Sequence, residues 1–244
     1  MPTDRLNTLL ECKDAASWGK ALFALGNDYG FEQLLFGLVP SRHAKLEHAF
    51  LQSNYSPDWR ERYDTNKLAY VDPTVTHCQT STVPIVWAPE TFRSEPAREL
   101  YEEASAYGVR TGVTLPIHGP GGEFGVISFA SDLRPRDEFN RIIKSVIPAL
   151  SLIRDYAFES SLRLMGEGRG AEQAPRLTPR ELEVLKWVMA GKSSWEISRI
   201  TNCSEATVNF HMANVRQKFS VNTRQQAVVK AIALGLITPE DRRR

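Results

Sequence analysis

Two helical patterns between Ser193 and Phe219 are separated by only Thr201, Asn202 and Cys203. So short a connection makes the second helix turn sharply away from the first. A short helix, a three-residue turn and a longer helix then form the helix-turn-helix plan. The surrounding punctuation agrees. In LTPRELEVLKWVMAG, Thr178 is placed to cap a helix, Pro179 takes its first position, Glu181 closes a capping box and Gly191 stops it. Ser193 and Glu196 repeat the box, Ser204 caps a third helix, and Thr223, Gln226 and Gly235 bracket a fourth. The last third of the chain is therefore predicted to be an all-α unit of four helices.

Along the third helix, Val208, Met212, Val215 and Phe219 recur at i, i+4, i+7 and i+11 and form one apolar stripe. Opposite lie Ala206, Phe210, Ala213 and Gln217, with Asn209 and Asn214 beside them and His211, Arg216 and Lys218 at the shoulders. A helix in the major groove needs short or planar polar groups at its centre for base edges and cations at its margins for phosphates. Asn209 is suited to adenine, and Phe210 and Ala213 to thymine methyls. Lys192, His211, Arg216, Lys218 and Arg224 are suited to phosphates, and Ser194, Thr207 and Asn214 complete the candidate double-stranded DNA contact set. A solvated face on a small bundle is the plainer alternative, but a free surface gains nothing from Phe210.

Charge points the same way. Of 30 Lys and Arg and 29 Asp and Glu, 12 and 6 fall from Arg176 onward, leaving 18 and 23 before it. A basic back behind an acidic front suits a polyanion partner, although Arg242, Arg243 and Arg244 alone supply half of the excess. Cys12, Cys78 and Cys203 fit neither a disulfide framework nor a metal site, so no metal or cofactor is expected. The first ~30 residues lack a cleavable apolar core, and no uncharged apolar run reaches about 18 residues. A soluble cytoplasmic chain with no membrane contact is expected.

The pattern breaks at GEGRGAEQAP, and the chain is divided into a front domain at 1–165, a linker at 166–174 and the helical domain at 175–244. The front mixes an amphipathic start at 15–25, FEQLLFGLV and LEHAFLQ as strands, PDWRERY and EPARELYEEASAYG as helices, and TGVTLPIH and EFGVISFA as strands joined by GPGG. A long helix over 137–160, kinked at Pro148, follows. This reads as α+β, an antiparallel sheet flanked by helices in an α-β-α sandwich. Tyr55, Trp59, Arg60 and Tyr63 fall near one another, with Asp72 close behind. Spacing alone favours structure here: Asp72 before Pro73 is a helix N-cap, and Trp59 and Tyr63 are ordinary core.

LTPRELEVL, AGKSSWEIS and SEATVNFHMANVRQKF resemble the DNA-binding domain of LuxR-type transcription regulators over 176–237. The order Trp59, Tyr63, Asp72, Pro73, Trp87 and Gly112 resembles the autoinducer-binding domain of quorum-sensing regulators. LLFGLVP, the NY before Trp59, VDPTVTHC and EEASAYG are most similar to LasR-type receptors. The resemblance implies an N-acyl homoserine lactone of medium to long chain, with or without a 3-oxo group. It implies Trp59 on the lactone carbonyl, Asp72 on the amide N–H, Tyr55 and Ser128 on the acyl carbonyl, Arg60 on a 3-oxo group and Thr74 supporting Asp72. Trp87, Phe92, Leu100, Val109 and Leu115 would be walls, and Leu35, Leu38, Ala49, Leu51, Val75, Phe124 and Val126 would enclose the tail. Leu46 and Phe92 stand where such receptors carry tyrosine, and Phe124 and Val126 are bulkier than expected, which leaves tail length and C3 chemistry open.

Two other classes compete. A lactone-processing enzyme fused to a DNA-binding module would need a G-x-S-x-G elbow, an H-x-H-x-D-H cluster or a P-loop, and the sequence has none; His77 and His118 are isolated. A phosphorelay response regulator would need acidic residues clustered at early strand ends, which the first 60 residues do not supply. Because one recognition helix reads few base pairs, a homodimer on a palindromic site is expected. The face formed by Ile143, Ile147, Leu150, Ile153 and Tyr156 either pairs the copies or covers the sheet. The resemblance implies activation through RNA polymerase.

Overall fold

The computed structural model describes residues 3–41, 44–133, 137–168 and 176–238. It divides into two compact units, Met1–Arg169 and Gly170–Arg244. Residues 169–174 of the expected linker and the arginines at 242–244 lie outside the described residues.

The first unit begins with helices α1 (Thr3–Glu11) and α2 (Ala15–Asn27), the latter capped by Asp14 through Ser17 N–H. Five strands follow, β1 (Gln33–Val39), β2 (Phe50–Ser53), β3 (Ile85–Val86), β4 (Thr111–His118) and β5 (Phe124–Ser131), in the order β2-β1-β5-β4-β3 with every pair antiparallel. Helices α3 (Pro57–Thr65), α4 (Pro73–Thr80) and α5 (Glu95–Ala106) lie between strands, and α6 (Asp137–Gly168) closes the unit.

Strand parity divides the unit into two cores. One face of the sheet sends Leu34, Phe36, Leu38, Val113, Leu115, Ile117, Ile127 and Phe129 against Trp18, Leu22, Ile143, Leu150 and Ile153 of α2 and α6. Trp18 Nε1 donates to Ser160 Oγ at 2.8 Å, so this large buried ring also satisfies its polar edge. The other face carries Leu35, Thr114, Val126, Ser128 and Ala130 toward α3, α4 and α5. Coverage on both faces explains why β4 and β5 read as nearly continuous buried runs.

Three differences from the sequence reading have local causes. LEHAFLQ is one strand only from Phe50; before it, Leu46–His48 form a 3-10 turn closed by Ala49 N–H on Leu46 O. Helix α6 runs through Pro148 and on to Gly168, so the first residues of the expected linker are helical. Its Ile143, Leu150 and Ile153 are fully buried, and Ile147 and Tyr156 pack partly against the same core, so this face covers the sheet and is not free to pair two copies.

The second unit comprises α7 (Pro179–Met189), α8 (Ser194–Ile200), α9 (Glu205–Lys218) and α10 (Arg224–Ala233). The capping boxes at Thr178/Glu181, Ser193/Glu196 and Thr223/Gln226 are all formed. Asn202, in the turn between α8 and α9, is left-handed at φ 50°, a conformation its short amide tolerates better than most side chains. Val208, Met212, Val215 and Phe219 join Val184, Leu185 and Ile197 in one core. Among the described residues no helix is long and apolar enough to cross a membrane, and no group of three His, Cys, Asp or Glu could hold a metal ion.

Candidate ligand cavity and nucleic-acid interface

Between the sheet and helices α3, α4 and α5 lie two adjoining chambers of about 70 Å³ and about 330 Å³ that share Leu35, Arg60, Tyr63, Val75 and Val126. The smaller is polar in its fittings. Tyr55, Trp59, Arg60, Asp72, Thr74, Trp87, Phe92, Leu100, Val109 and Ser128 all line it, together with Tyr63, Tyr101 and Ala104, to which the sequence reading gave no ligand role. The larger brings Leu35, Leu38, Ala49, Leu51, Val75, Phe124 and Val126 together, with Leu46 beside them. Leu38 reaches it only at the margin, since its side chain belongs to the opposite core.

Leu115 is the exception. It was expected as a cavity wall, but it is fully buried on the other face of β4, opposite Ile127. The side chain on the chamber's side of β4 is its neighbour Thr114, bonded to the lining residues Trp87 and Ser128, and parity with Gly112 was the signal that could have found it. Gly112 itself is required here, because a Cβ would stand 2.3 Å from Phe129 O and 3.0 Å from the Trp87 ring. Trp87 therefore lies on the sheet. Its Nε1 donates to Thr114 Oγ1 at 2.9 Å, and that hydroxyl shares a 2.9 Å hydrogen bond with Ser128 Oγ. Thr114→Val keeps the shape and removes the hydroxyl between two buried polar groups. It is expected to cost about 1–3 kcal/mol in urea unfolding of the first unit. Thr114→Ser should restore most of it.

Asp72 caps its helix and also lines the smaller chamber. Its Oδ1 caps α4 by accepting from Thr74 N–H at 2.8 Å and from Thr74 Oγ1 at 2.7 Å, while Oδ2 accepts from Tyr63 O–H at 2.9 Å. Burial pushes the carboxyl above its usual range, and the bonds from Thr74 and Tyr63 pull against that without cancelling it. Oδ2 retains capacity for one more donor. The Tyr55 hydroxyl is buried with no hydrogen-bond partner among the described residues, as is Arg60 Nε, which lines both chambers. Burial and the nearby Asp72 charge push Tyr55 up, so its hydroxyl keeps its proton. Trp59 meets Tyr63 edge-on and stacks on Tyr107, which fixes the indole. A two-pronged ion pair, Arg62 to Glu103 at 2.6 and 2.7 Å, ties α3 to α5. Cys78 is buried in a cluster with Val39 and Phe124, its thiol pushed up to about 12 by burial.

On α9, the outward face is as expected: Ala206, Asn209, Ala213 and Gln217 are exposed, and Phe210 is 62% exposed. Asn209 Oδ1 accepts from Ser194 Oγ at 2.7 Å, so the base-reading candidate is steadied from α8. Thr207 Oγ1 bonds Ser204 Oγ within the cap. The cations are less free than the sequence suggests. Arg216 donates to Asn222 O, Arg224 to Lys192 O, and Lys192 pairs with Glu196, yet each keeps further N–H donors. Lys218 is different: its Nζ donates to Glu181 Oε2 at 2.6 Å and to Arg176 O at 3.0 Å. Expected at a phosphate, it instead neutralises a buried carboxylate.

Comparison with known proteins agrees with this division. Residues 14–161 match the autoinducer binding domain, and residues 175–231 match the bacterial regulatory proteins of the luxR family. The chain is 36% identical over 219 residues to the transcriptional activator protein VanR of Vibrio anguillarum, covering 89% of this chain and 90% of that protein. It is 30% identical over 241 residues to the transcriptional activator protein LuxR of Aliivibrio fischeri, covering 96% and 92%. The crystal structure of Escherichia coli SdiA superposes with a TM-score of 0.73 at 24% identity over 96% of this chain and 97% of that one, which shows a common fold. The front domain is thus neither a phosphorelay receiver nor a lactone-processing enzyme, and the relatives are named as activators of transcription. The chain belongs to the LuxR family, as a quorum-sensing transcription regulator with an autoinducer-binding domain and a helix-turn-helix DNA-binding domain.

Proposed function

We propose that this regulator is a cytoplasmic receptor for an N-acyl homoserine lactone of medium to long chain. With the ligand bound it occupies a palindromic promoter site as a homodimer and activates transcription through RNA polymerase. The observation that carries the ligand reading is the junction of a small chamber, into which Tyr55, Trp59, Asp72 and Ser128 bring polar groups, with a larger one whose base at Val39, Val75 and Phe124 is apolar. A neutral lactone and amide on an aliphatic tail have that same division, and each polar atom they bury needs a protein partner. Asp72 Oδ2 takes the amide N–H, Trp59 donates its indole N–H to the lactone carbonyl, and Tyr55 and Ser128 meet the acyl carbonyl. Thr114 supports Ser128: by accepting from Trp87 it is free to donate to Ser128, whose own proton then turns to the ligand. Arg60 Nε, buried and unpartnered among the described residues where the chambers meet, suits an acceptor at C3.

Native mass spectrometry of protein purified from cells supplied with acyl homoserine lactones tests the reading. A dimer carrying one intact lactone per chain is the expected result. A hydrolysed product, or no retained lactone, would overturn it.

For DNA, the reading rests on the outward face of α9. Asn209→Ala is expected to relax base choice at one position per half-site, costing about 1–3 kcal/mol at the preferred base. Binding to a panel of single-base operator variants measures it. Equal losses on specific and random DNA would mean that Asn209 reads no base.

A further inference from the structure

The two chambers differ in a way that their shared ligand does not require. Of the described residues lining the smaller chamber none is exposed, whereas Glu47, Leu51, Asp64, Lys67 and Tyr70 are exposed in the lining of the larger. Leu51 is 39% and Tyr70 66% exposed, and none of the five belongs to the smaller chamber. The same rim holds two ion pairs, Glu47 with Lys67 at 3.9 Å and Arg60 with Asp64 at 2.5 Å. Val39, Val75 and Phe124 at the base are buried and apolar. The chamber therefore passes from a dry base to a wet, charged and electrically balanced rim.

A closed apolar end would measure chain length, because a longer tail would have nowhere to go and a polar terminus would lose its water. This rim imposes neither penalty. Resting on the acyl-lactone reading, we infer that the receptor grips the lactone and the first part of the chain and leaves the far end in water. Chain length then has a floor and no ceiling, and a hydroxyl or carboxylate at the far end is accepted.

The test uses the full chain, produced with each lactone in turn and then challenged by pairwise competition, with bound ligand quantified by mass spectrometry. The probes are the unbranched series from hexanoyl to hexadecanoyl homoserine lactone and the ω-carboxy derivative of the longest. Affinity is expected to rise about fourfold per methylene over the short members and then level off. The ω-carboxy compound is expected within about tenfold of its parent, since its carboxylate stays hydrated. A sharp optimum with falling affinity for longer chains would overturn the open-ended chamber. So would rejection of the ω-carboxy compound by more than about a hundredfold, the mark of a buried carboxylate. Either result leaves the lactone reading standing; binding of no member of the series removes both.

Discussion

Protein produced without an acyl homoserine lactone is expected in the insoluble fraction, and protein produced with one in the soluble fraction. The first unit without ligand holds a cavity lined by a Tyr55 hydroxyl that has no partner among the described residues and by a buried Asp72 carboxylate. A ligand that binds only the folded form adds RT ln(1+[L]/Kd), about 4 kcal/mol at a thousandfold excess. Total stabilities are only about 5–15 kcal/mol. Asp72→Asn isolates the ligand's share. Its Oδ1 still caps α4, but its Nδ2 sets a donor against the ligand's amide N–H, so affinity is expected to fall by about 2–4 kcal/mol, roughly thirtyfold to a thousandfold. Asp72→Ala loses the cap as well, at about 1 kcal/mol with or without ligand. Melting temperatures across a lactone titration decide the matter: equal ligand-induced shifts in wild type and Asp72→Asn would mean that Asp72 does not hold the ligand.

The second large effect is in the DNA-binding unit. Lys218→Ala leaves Glu181, 3% exposed, with its carboxylate buried and no ammonium beside it. Removing one member of a buried pair costs several kcal/mol, and discounting for a lysine side chain that is one-third exposed leaves about 2 kcal/mol. Had Lys218 been a phosphate contact, the same variant would keep its stability and lose about one unit of salt dependence in DNA binding.

Acid gives an independent check on that pair. Burial raises the Glu181 carboxyl, but the Lys218 ammonium and the Thr178 N–H outweigh it, and the net displacement is downward. Glu196 is brought down to about 2 by Ser193 N–H, by Lys192 and by the Ser193 hydroxyl. Folded values below the ordinary 4.5 mean a contribution fully present above that pH and lost as pH falls through the folded values. Unfolding of the wild type should therefore grow easier from about pH 4.5 toward pH 2, while near neutrality the contribution of these groups is complete and does not vary with pH. Lys218→Ala should show a shallower dependence over that window.

The legibility of these features in the sequence follows their range. The caps of α7, α8 and α10 are local, and residues three apart name them without reference to the rest of the fold. The stripe on α9 is equally local. Lys218 was misread because its partner Glu181 stands 37 residues away, and an exposed-looking lysine at a helix end carries no mark of that bond. Thr114 and Leu115 are adjacent letters on opposite faces, and only the pairing of β4 with β5 decides which is which. Tyr63 could be placed near Trp59 by helical spacing, but its bond to Asp72 depends on the turn between α3 and α4, where Lys67 takes a left-handed φ of 53°.

That alternation on β4 and β5 also separates what a lineage of such receptors is free to change. Val126 and Ser128 meet the cavity and Thr114 supports Ser128, while their chain neighbours Val113, Leu115, Ile127 and Phe129 are packed against α2 and α6. Substitutions on one set alter which molecule is welcomed; those on the other alter whether the chain folds. A population drifting toward a new signal can thus explore the cavity one position at a time while the opposite core stays whole, and directed selection for altered signal response should collect its changes at the even-numbered positions of these strands.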